Sequence, residues 1–488
     1  MHNETLYRLL ALAVLALSAG PIGAAVVLGF FFGESPCVLC WAQRTGMVLV
    51  ALTGLFILRY GPRPRYVGLG VLIAAHGLYM GTRHSSLHVW RDVGQGFAAE
   101  ILGAHTYVWS AFIFWVAVVL MGLLLISMQD GAARAERRDL GTLGRAAAAL
   151  FLLAAGGNVV QAFMSTGPPP YLGQSDPIRL SSNPRDWVWS LEEWQPAPIS
   201  WRGRYAVEKP SLAGLESDAR KGPLAGPPTL AVKRQAQMPP LNAPVADLAY
   251  EATTDRFLAV TERHGVYVLD GSLGRILRHT VVDPAFSVDL GRFAGAAFVD
   301  AQTVATIADN KSYVVLRENG AADARANFRY FLESFDRFDE VSRGRFGTVR
   351  ARMMYVQALA YDATRDSFYT LTVPNRRHKR LVVSRFSRKD MTLSEEFLPA
   401  LGAGSGLALA GEGRSLDEYY VTGLAAEAGR LWAVSAAFST LLALDPAARE
   451  VTGAWRLEGV AAPVGVAVTG EELLVAGADG RVFVFPRP

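Results

Sequence analysis

Glu34-Ser35-Pro36-Cys37-Val38-Leu39-Cys40-Trp41-Ala42-Gln43-Arg44 lies between two apolar runs and holds the only two cysteines among 488 residues. Upstream, Leu9–Phe32 carries no charged residue. That exceeds the roughly 20 helical residues needed to cross a hydrocarbon core. Small residues at Ser18-Ala19-Gly20 and Gly23-Ala24-Ala25 would suit signal-peptide cleavage. The apolar run continues through Phe30, Phe31 and Phe32, however, and further runs follow, so it reads as a retained span. Downstream come apolar runs at about Thr45–Leu58, Tyr66–Gly81, Thr106–Met128 and Ala146–Met164. Five spans put the two ends of the chain on opposite sides of a membrane.

Arginines set the direction, because cytoplasmic segments collect them. With the N-terminus inside, the inner segments hold Arg8, then Arg59, Arg63 and Arg65, then Arg134, Arg137, Arg138 and Arg145. The outer segments hold Arg83 and Arg91, with Arg44 near the surface. This orientation places Cys37, Cys40 and everything after residue 166 outside. In a bacterium that is the periplasm, where a dithiol can cycle through a disulfide. The expected location is therefore the bacterial inner membrane, multi-pass, with the C-terminal domain periplasmic.

A C-x-x-C pair at a helix N-terminus has its thiolates stabilised by the helix dipole, which tunes pKa and reduction potential. Two other readings stand beside the redox pair. One is an inert pair; the other is a metal site that borrows His84 and His88 as the two further ligands zinc would need. A c-type haem would require histidine directly after Cys40, where Trp41 stands. Arg44 lies one helical turn deeper than Cys40. A cation toward the membrane interior is costly and marks function by default. Beside a dithiol, its natural partner is an electron carrier that becomes negative on reduction, such as a quinone. The plainer alternative is an arginine snorkelling to the interface.

Pro36-Cys37-Val38-Leu39-Cys40 followed by Arg44 resembles the signature of the disulfide bond formation protein B (DsbB) family, quinone-reducing membrane thiol oxidases. The resemblance covers roughly residues 9–128. It implies four transmembrane helices, with the catalytic cysteines Cys37 and Cys40 at the outer start of the second. It implies a quinone cofactor, ubiquinone or menaquinone, held by Arg44. By the spacing from His76-Gly77 to Arg83-His84, the family's quinone-side histidine falls on His84. The implied partners are the lipid and quinone pool and a periplasmic thioredoxin-like dithiol protein similar to DsbA. The chain departs from the family in one respect. The outer loop from about Thr82 to His105 lacks the family's second cysteine pair, so no two-disulfide relay fits within this chain. In that loop Gly94–Leu102 reads either as a short amphipathic surface helix or as a simple turn. The fifth span has no counterpart in the family.

The expected organisation is residues 1–130 as the DsbB-like four-helix membrane domain, then 131–166 as a cytoplasmic loop and fifth transmembrane helix. Residues 167–244 form a periplasmic connector rich in proline, with Trp187, Trp189, Trp194 and Trp201 at its centre, expected to pack on the outer domain or at lipid headgroups. Residues 245–488 read as an all-β, β-propeller-like domain. Leu248–Thr261 and Leu359–Thr372 match at eight of fourteen positions, 111 residues apart, with weaker copies at Gly295–Ala308, Thr422–Ser435 and Val464–Gly477. Each copy is strand, polar turn, strand. Such repeats predict a propeller of five or six blades, with a β-sandwich as the alternative. Thr229–Lys233 is the strand expected to close the ring. The arginine-rich insertion Asn327–Arg352 reads as a solvated helix or loop. Asp255 and Asp366 recur at one repeat position and read as turn residues.

A net charge of +4 and the absence of a basic stripe interleaved with aromatics argue against nucleic acid. The propeller region shows no hydrolase, metalloprotease, phosphate-loop or calcium-loop motif. The expected function is a thiol:quinone oxidoreductase that works through a single C-x-x-C disulfide, its outer domain serving partner docking and no metal being assigned. The alternative is a membrane-anchored binding or scaffold protein whose propeller is the working part.

Overall fold

The computed structural model describes residues 3–32, 38–92, 100–128, 138–166, 209–282, 290–319, 338–375 and 378–488. The chain divides into two units, Met1–Ala206 and Val207–Pro488.

In the first unit the apolar runs become helices. The first rod is α1 (Asn3–Leu17), a π-helical turn Ser18–Gly23, and α2 (Ala24–Phe32). Pro21 sits inside that turn. Proline cannot donate a backbone hydrogen bond and clashes with the preceding turn of an α-helix. The wider π turn accommodates it without ending the rod. There follow α3 (Val38–Tyr60), α4 (Pro64–Asp92), which begins with a proline where no intrahelical donor is required, α5 (Thr106–Ser127) and α6 (Gly141–Thr166). Among the described residues, four segments are long and apolar enough to cross a membrane: Glu4–Phe31, Leu39–Tyr60, Thr106–Ser127 and Gly141–Ala162. The helix containing the expected third span, α4, is longer than these but carries Arg65, His76, Arg83 and His84, which lower its apolarity.

The bundle core joins Ile22, Met47, Val50, Ala51, Ala74, Phe114, Phe151 and Ala154. Its outside is apolar too: Ile126 is 83% exposed and Leu153 74%. That is the pattern of a surface meant for lipid rather than water. Along the α1–α2 rod, Val26 lies against Gly157 and Gly29 against Gln161. The two sequences advance together, so α6 runs parallel to the first rod. At one end of the bundle, Arg59 donates to the Arg138 carbonyl and Arg138 stacks on Tyr7. At the other end, Glu100–Ile101 pairs with Ala104–His105 as a two-stranded hairpin around Leu102 and Gly103. The C-terminal end of the Gly94–Leu102 stretch is thus hairpin, not helix; residues 93–99 lie outside the described residues.

The second unit is a β-propeller of five blades. Blade 1 is Val245–Glu251, Arg256–Thr261, Gly265–Asp270 and Ile276–Val281; blade 2 is Phe293–Phe298, Thr303–Ala308, Ser312–Glu318 and Phe338–Arg345. Blade 3 is Ala360–Asp362, Ser367–Leu371, Val383–Ser387 and Leu393–Phe397; blade 4 is Val421–Glu427, Arg430–Ser435, Thr440–Asp445 and Glu450–Leu457. Blade 5 takes three strands from the end of the chain, Pro463–Val468, Glu472–Gly477 and Arg481–Pro486, and its fourth from the front, Arg234–Gln237. The ring is therefore closed by an N-terminal strand, but by Arg234–Gln237 rather than Thr229–Lys233. Thr229–Leu230 instead runs parallel to the outer strand of blade 4, as does Ala400–Leu401, and the two cover that edge. The alternation that marks a strand was weakest in the polar four-residue segment that closes the ring.

Part of the Asn327–Arg352 insertion is the outer strand of blade 2, which corrects its reading as solvated loop. The charged sequence Phe338–Arg345 hides that strand. Arg343 is nevertheless almost fully buried, paired at 2.9 Å with Glu340. After it, a 3-10 turn at Arg350–Met353 is held from both ends. The buried Glu396 carboxylate accepts from the Val349, Arg350 and Ala351 amides and from Ser384. The fully buried Lys311 ammonium donates to the Ala351 and Met354 carbonyls. An anion thus faces the donors of that turn and a cation its acceptors.

The blades meet at a shared backbone irregularity. The innermost strands of blades 1, 4 and 5 each carry a bulge just before Asp247, Gly423 and Gly465. A Cβ on Gly423 would lie 2.6 Å from Gly465, one on Gly465 2.5 Å from the Leu248 nitrogen, and one on Gly295 of blade 2 2.4 Å from the Leu359 nitrogen. Asp247 is the acid at this ring of close approaches. Its fully buried carboxylate accepts from the amides of Leu248 and Ala296 at 2.8 Å each, and from the Val466 amide. It ties blade 1 to blades 2 and 5. Over one mouth of the ring, Leu212 and Leu215 pack with Tyr355, Val373, Tyr420 and Ala436. Ser211 donates its amide to Tyr420 Oη, and Arg292 donates to the Pro210 carbonyl. Trp187, Trp189, Trp194 and Trp201 lie outside the described residues.

Candidate functional site

The site grows from the first turns of α3. Four residues make one helical turn and put side chains on one face, so Cys40 and Arg44 share a face, with Trp41 and Gln43 flanking. Cys40 is half-buried within the helix. Cys37 lies outside the described residues, one position before the helix begins.

Arg44 is buried, 9% exposed. Its Nη1 donates to Gln161 Oε1 at 2.9 Å, and its guanidinium lies 5.2 Å from the centre of the Trp41 ring. Hydrogen bonds to a charged group exceed neutral ones in strength, and a cation over an indole face adds to this. The side chain is held inward against α6 rather than extended into solvent.

His84 is buried on α4, where the preceding Gly81 and Gly77 let α5 approach closely. Its Nδ1 is 2.9 Å from Gln43 Nε2, and Gln43 also donates to the Met80 carbonyl at 3.3 Å. The ring packs on Tyr107 of α5 with centroids 5.1 Å apart, and His105 also stacks on Tyr107, at 5.2 Å. The histidine and the arginine that the sequence singled out have separate partners, His84 at Gln43 and Arg44 at Gln161. His84, which the metal reading would use, faces Gln43. Among the described residues no group of three or more His, Cys, Asp or Glu could hold a metal ion.

Gln43, Tyr107, Asn158 and Gln161 were not singled out from the sequence. Asn158 and Gln161 were findable: both are polar amides inside the fifth apolar run, where such residues are expensive. They lie three apart on α6 and so share a face. Both are buried, and Asn158 Oδ1, Gln161 Nε2 and Trp41 Nε1 have no hydrogen-bond partner among the described residues. Unsatisfied buried polar atoms are rare in native proteins and ask for a partner. Here three of them lie on the elements that surround Arg44.

Residues 7–94 match the family model of disulfide bond formation protein DsbB. No curated protein sequence matches the chain. Among solved structures, the glutaminyl cyclase of Myxococcus xanthus is similar at 12% identity and a TM-score of 0.37, over 53% of this chain and 97% of that one. The β-propeller domain of Cps50 (Swd1) from Myceliophteria thermophila is similar at 12% identity and a TM-score of 0.28, over 52% of this chain and 69% of that one. The blade count rests on the strand pairing of the chain itself.

Proposed function

We propose that the protein is an inner-membrane thiol:quinone oxidoreductase working through the single pair Cys37 and Cys40. The observation that carries this reading is a buried arginine one turn from Cys40, in a segment matching the DsbB family, held by the Gln161 amide and lying beside the Trp41 ring. The residues present fit a flat ring bearing carbonyl oxygens. Arg44 is a cation with several donors, Trp41 Nε1 is a buried donor without a partner among the described residues, and the Trp41 ring lies beside the guanidinium.

The chain's own steps are thiol exchanges. A partner thiolate attacks the Cys37–Cys40 disulfide and forms a mixed disulfide. The partner's second thiolate then displaces it, so the partner loses two electrons and two protons while Cys37 and Cys40 become thiols. Ubiquinone or menaquinone would supply the two-electron, two-proton acceptor that re-forming the disulfide requires. Arg44 would hold its ring and stabilise negative charge developing there. His84, seated on Gln43, is the polar group that α4 would offer to the site. With only two cysteines in the chain, a DsbA-like dithiol protein must meet this pair directly or through another protein's cysteines. Partner docking is the role we assign to the propeller.

The geometry supports the sidedness this requires. Because α6 runs parallel to the first rod, the chain leaves the bundle at the end where Cys40 lies, while Arg59 and Arg138 gather at the other. The test is quinone reduction by the purified protein with a reduced thioredoxin-like dithiol protein and a soluble quinone. Cys37→Ala and Cys40→Ala should each abolish it; unchanged reduction in either variant refutes the proposal. The two-cysteine count also favours a second reading, a membrane-anchored binding protein. That reading requires the thiol pair to stay in one redox state in cells whatever the quinone supply.

A further inference from the structure

We infer that Gln161 is a positioning residue for Arg44, delivered by a helix beyond the DsbB-like part. The family match ends at residue 94, and Gln161 lies on α6. Its side chain is fully buried and caught between two elements. On one side Oε1 accepts from Arg44 Nη1 at 2.9 Å. On the other, the amide lodges against Gly29 of α2, where an added Cβ would lie 1.3 Å from Gln161 Nε2. Only a residue without a Cβ leaves that notch open, so Gly29 holds Gln161 and Gln161 holds Arg44.

The physical reason such a prop is required lies in the arginine itself. A guanidinium in a low-dielectric interior must be hydrogen-bonded, and its long side chain has several rotamers to lose. A neutral amide satisfies one N–H without itself adding a countercharge, and its hydrogen bond fixes the direction of the guanidinium. The parallel packing of α6 on the first rod brings Gln161 to the level of Arg44. This assigns the fifth helix a part in the site besides carrying the chain across the membrane.

The inference rests on the quinone reading above, and the test separates the two. Binding of a short-chain ubiquinone analogue to the full-length protein in detergent is measured by quenching of tryptophan fluorescence. The rate at which dithiothreitol reduces the Cys37–Cys40 disulfide is measured in parallel. Gln161→Met, which keeps length and apolar volume but has no acceptor oxygen, should weaken binding about tenfold, the scale of one lost hydrogen bond to a charged group. The dithiothreitol rate should not change. Gly29→Ala, which displaces the same amide, should do the same and serves if Gln161→Met fails to fold. In an Arg44→Ala background, Gln161→Met should change nothing further, since its effect passes through the arginine. Equal affinity in wild type and Gln161→Met, or a full additional loss in the Arg44→Ala background, overturns the inference and leaves the quinone reading standing. Absence of binding by the wild type overturns both.

Discussion

Replacing Asp247 by alanine tests what holds the blades together. The carboxylate accepts amide hydrogens from blade 1 itself, from Ala296 of blade 2 and from Val466 of blade 5. Alanine leaves these N–H groups buried without acceptors, and each such group costs about 1–3 kcal/mol. Allowing for one reached by water, the expected loss is about 3–5 kcal/mol, a large share of a typical folding free energy. The pH dependence carries the sharper content. Burial holds this carboxyl well above its ordinary range, and the three amides pull it down only in part. Below about pH 3.9, the ordinary aspartate value, folded and unfolded chains are both protonated and the group's contribution is fully present. As pH rises past that value the unfolded chain ionises first, so stability falls until the raised folded value is passed. The wild-type advantage over Asp247→Ala should therefore be greatest in mild acid and shrink toward neutrality. Denaturant unfolding of the full chain, followed by β-sheet circular dichroism from pH 4 to 8, measures it. An advantage that grows with pH would mean the amides outweigh burial and the acid is ionised, and the reasoning fails.

Other outcomes follow from neighbouring features. Glu396→Ala leaves the Val349, Arg350 and Ala351 amides unmet and should destabilise the propeller by about 3 kcal/mol in the same assay. Lys311→Met exposes two buried carbonyls at the other end of that turn and should cost about 2 kcal/mol. Tyr420, pushed up to about 12 by burial, gives stability that is full below the ordinary tyrosine value near 10. It is lost as pH rises toward 12, and Tyr420→Phe should flatten that alkaline limb. Arg44→Lys replaces a fork that reaches Gln161 and Trp41 together with a point charge. It should raise the KM for quinone about tenfold while leaving the KM for the dithiol protein unchanged in steady-state assays.

How far the sequence could be read depended on the kind of signal. Apolar runs gave the helices, since lipid requires length and apolarity and little else. The repeat Leu248–Thr261 with Leu359–Thr372 exposed the blades because each copy has the same tight turn. Asp255 and Asp366 both take positive φ there, and each accepts from the tyrosine five residues earlier. That confirms them as turn residues. Cys37, Cys40 and Arg44 stood out because each is chemically unusual beside a membrane run, and His84 only through the spacing it shares with the DsbB family. Gln161 did not, because its meaning depends on which helix it meets, and parallel packing of α6 on the first rod is not written in hydropathy. Phe338–Arg345 was missed because an outer strand can be polar on both faces when its arginine is buried by a neighbouring glutamate. Arg234–Gln237 was missed by a few residues, since its partner strand Arg481–Pro486 lies far along the chain, Arg481 pairing with Gln237 across 244 positions.

That last pairing has a consequence in time. The strand that closes the ring is made early, and the three it joins are made last. Until Arg481–Pro486 arrives, blade 5 has no edge for Arg234–Gln237 to meet, and the first blade has no stable neighbour on that side. Closure must therefore follow synthesis of the whole domain, and the segment Arg234–Gln237 must wait, extended and unpaired, through that interval. A chain stopped before residue 481 would leave this strand and the open edge of blade 5 available to other chains, so truncated products should aggregate or be degraded rather than accumulate as four-bladed rings.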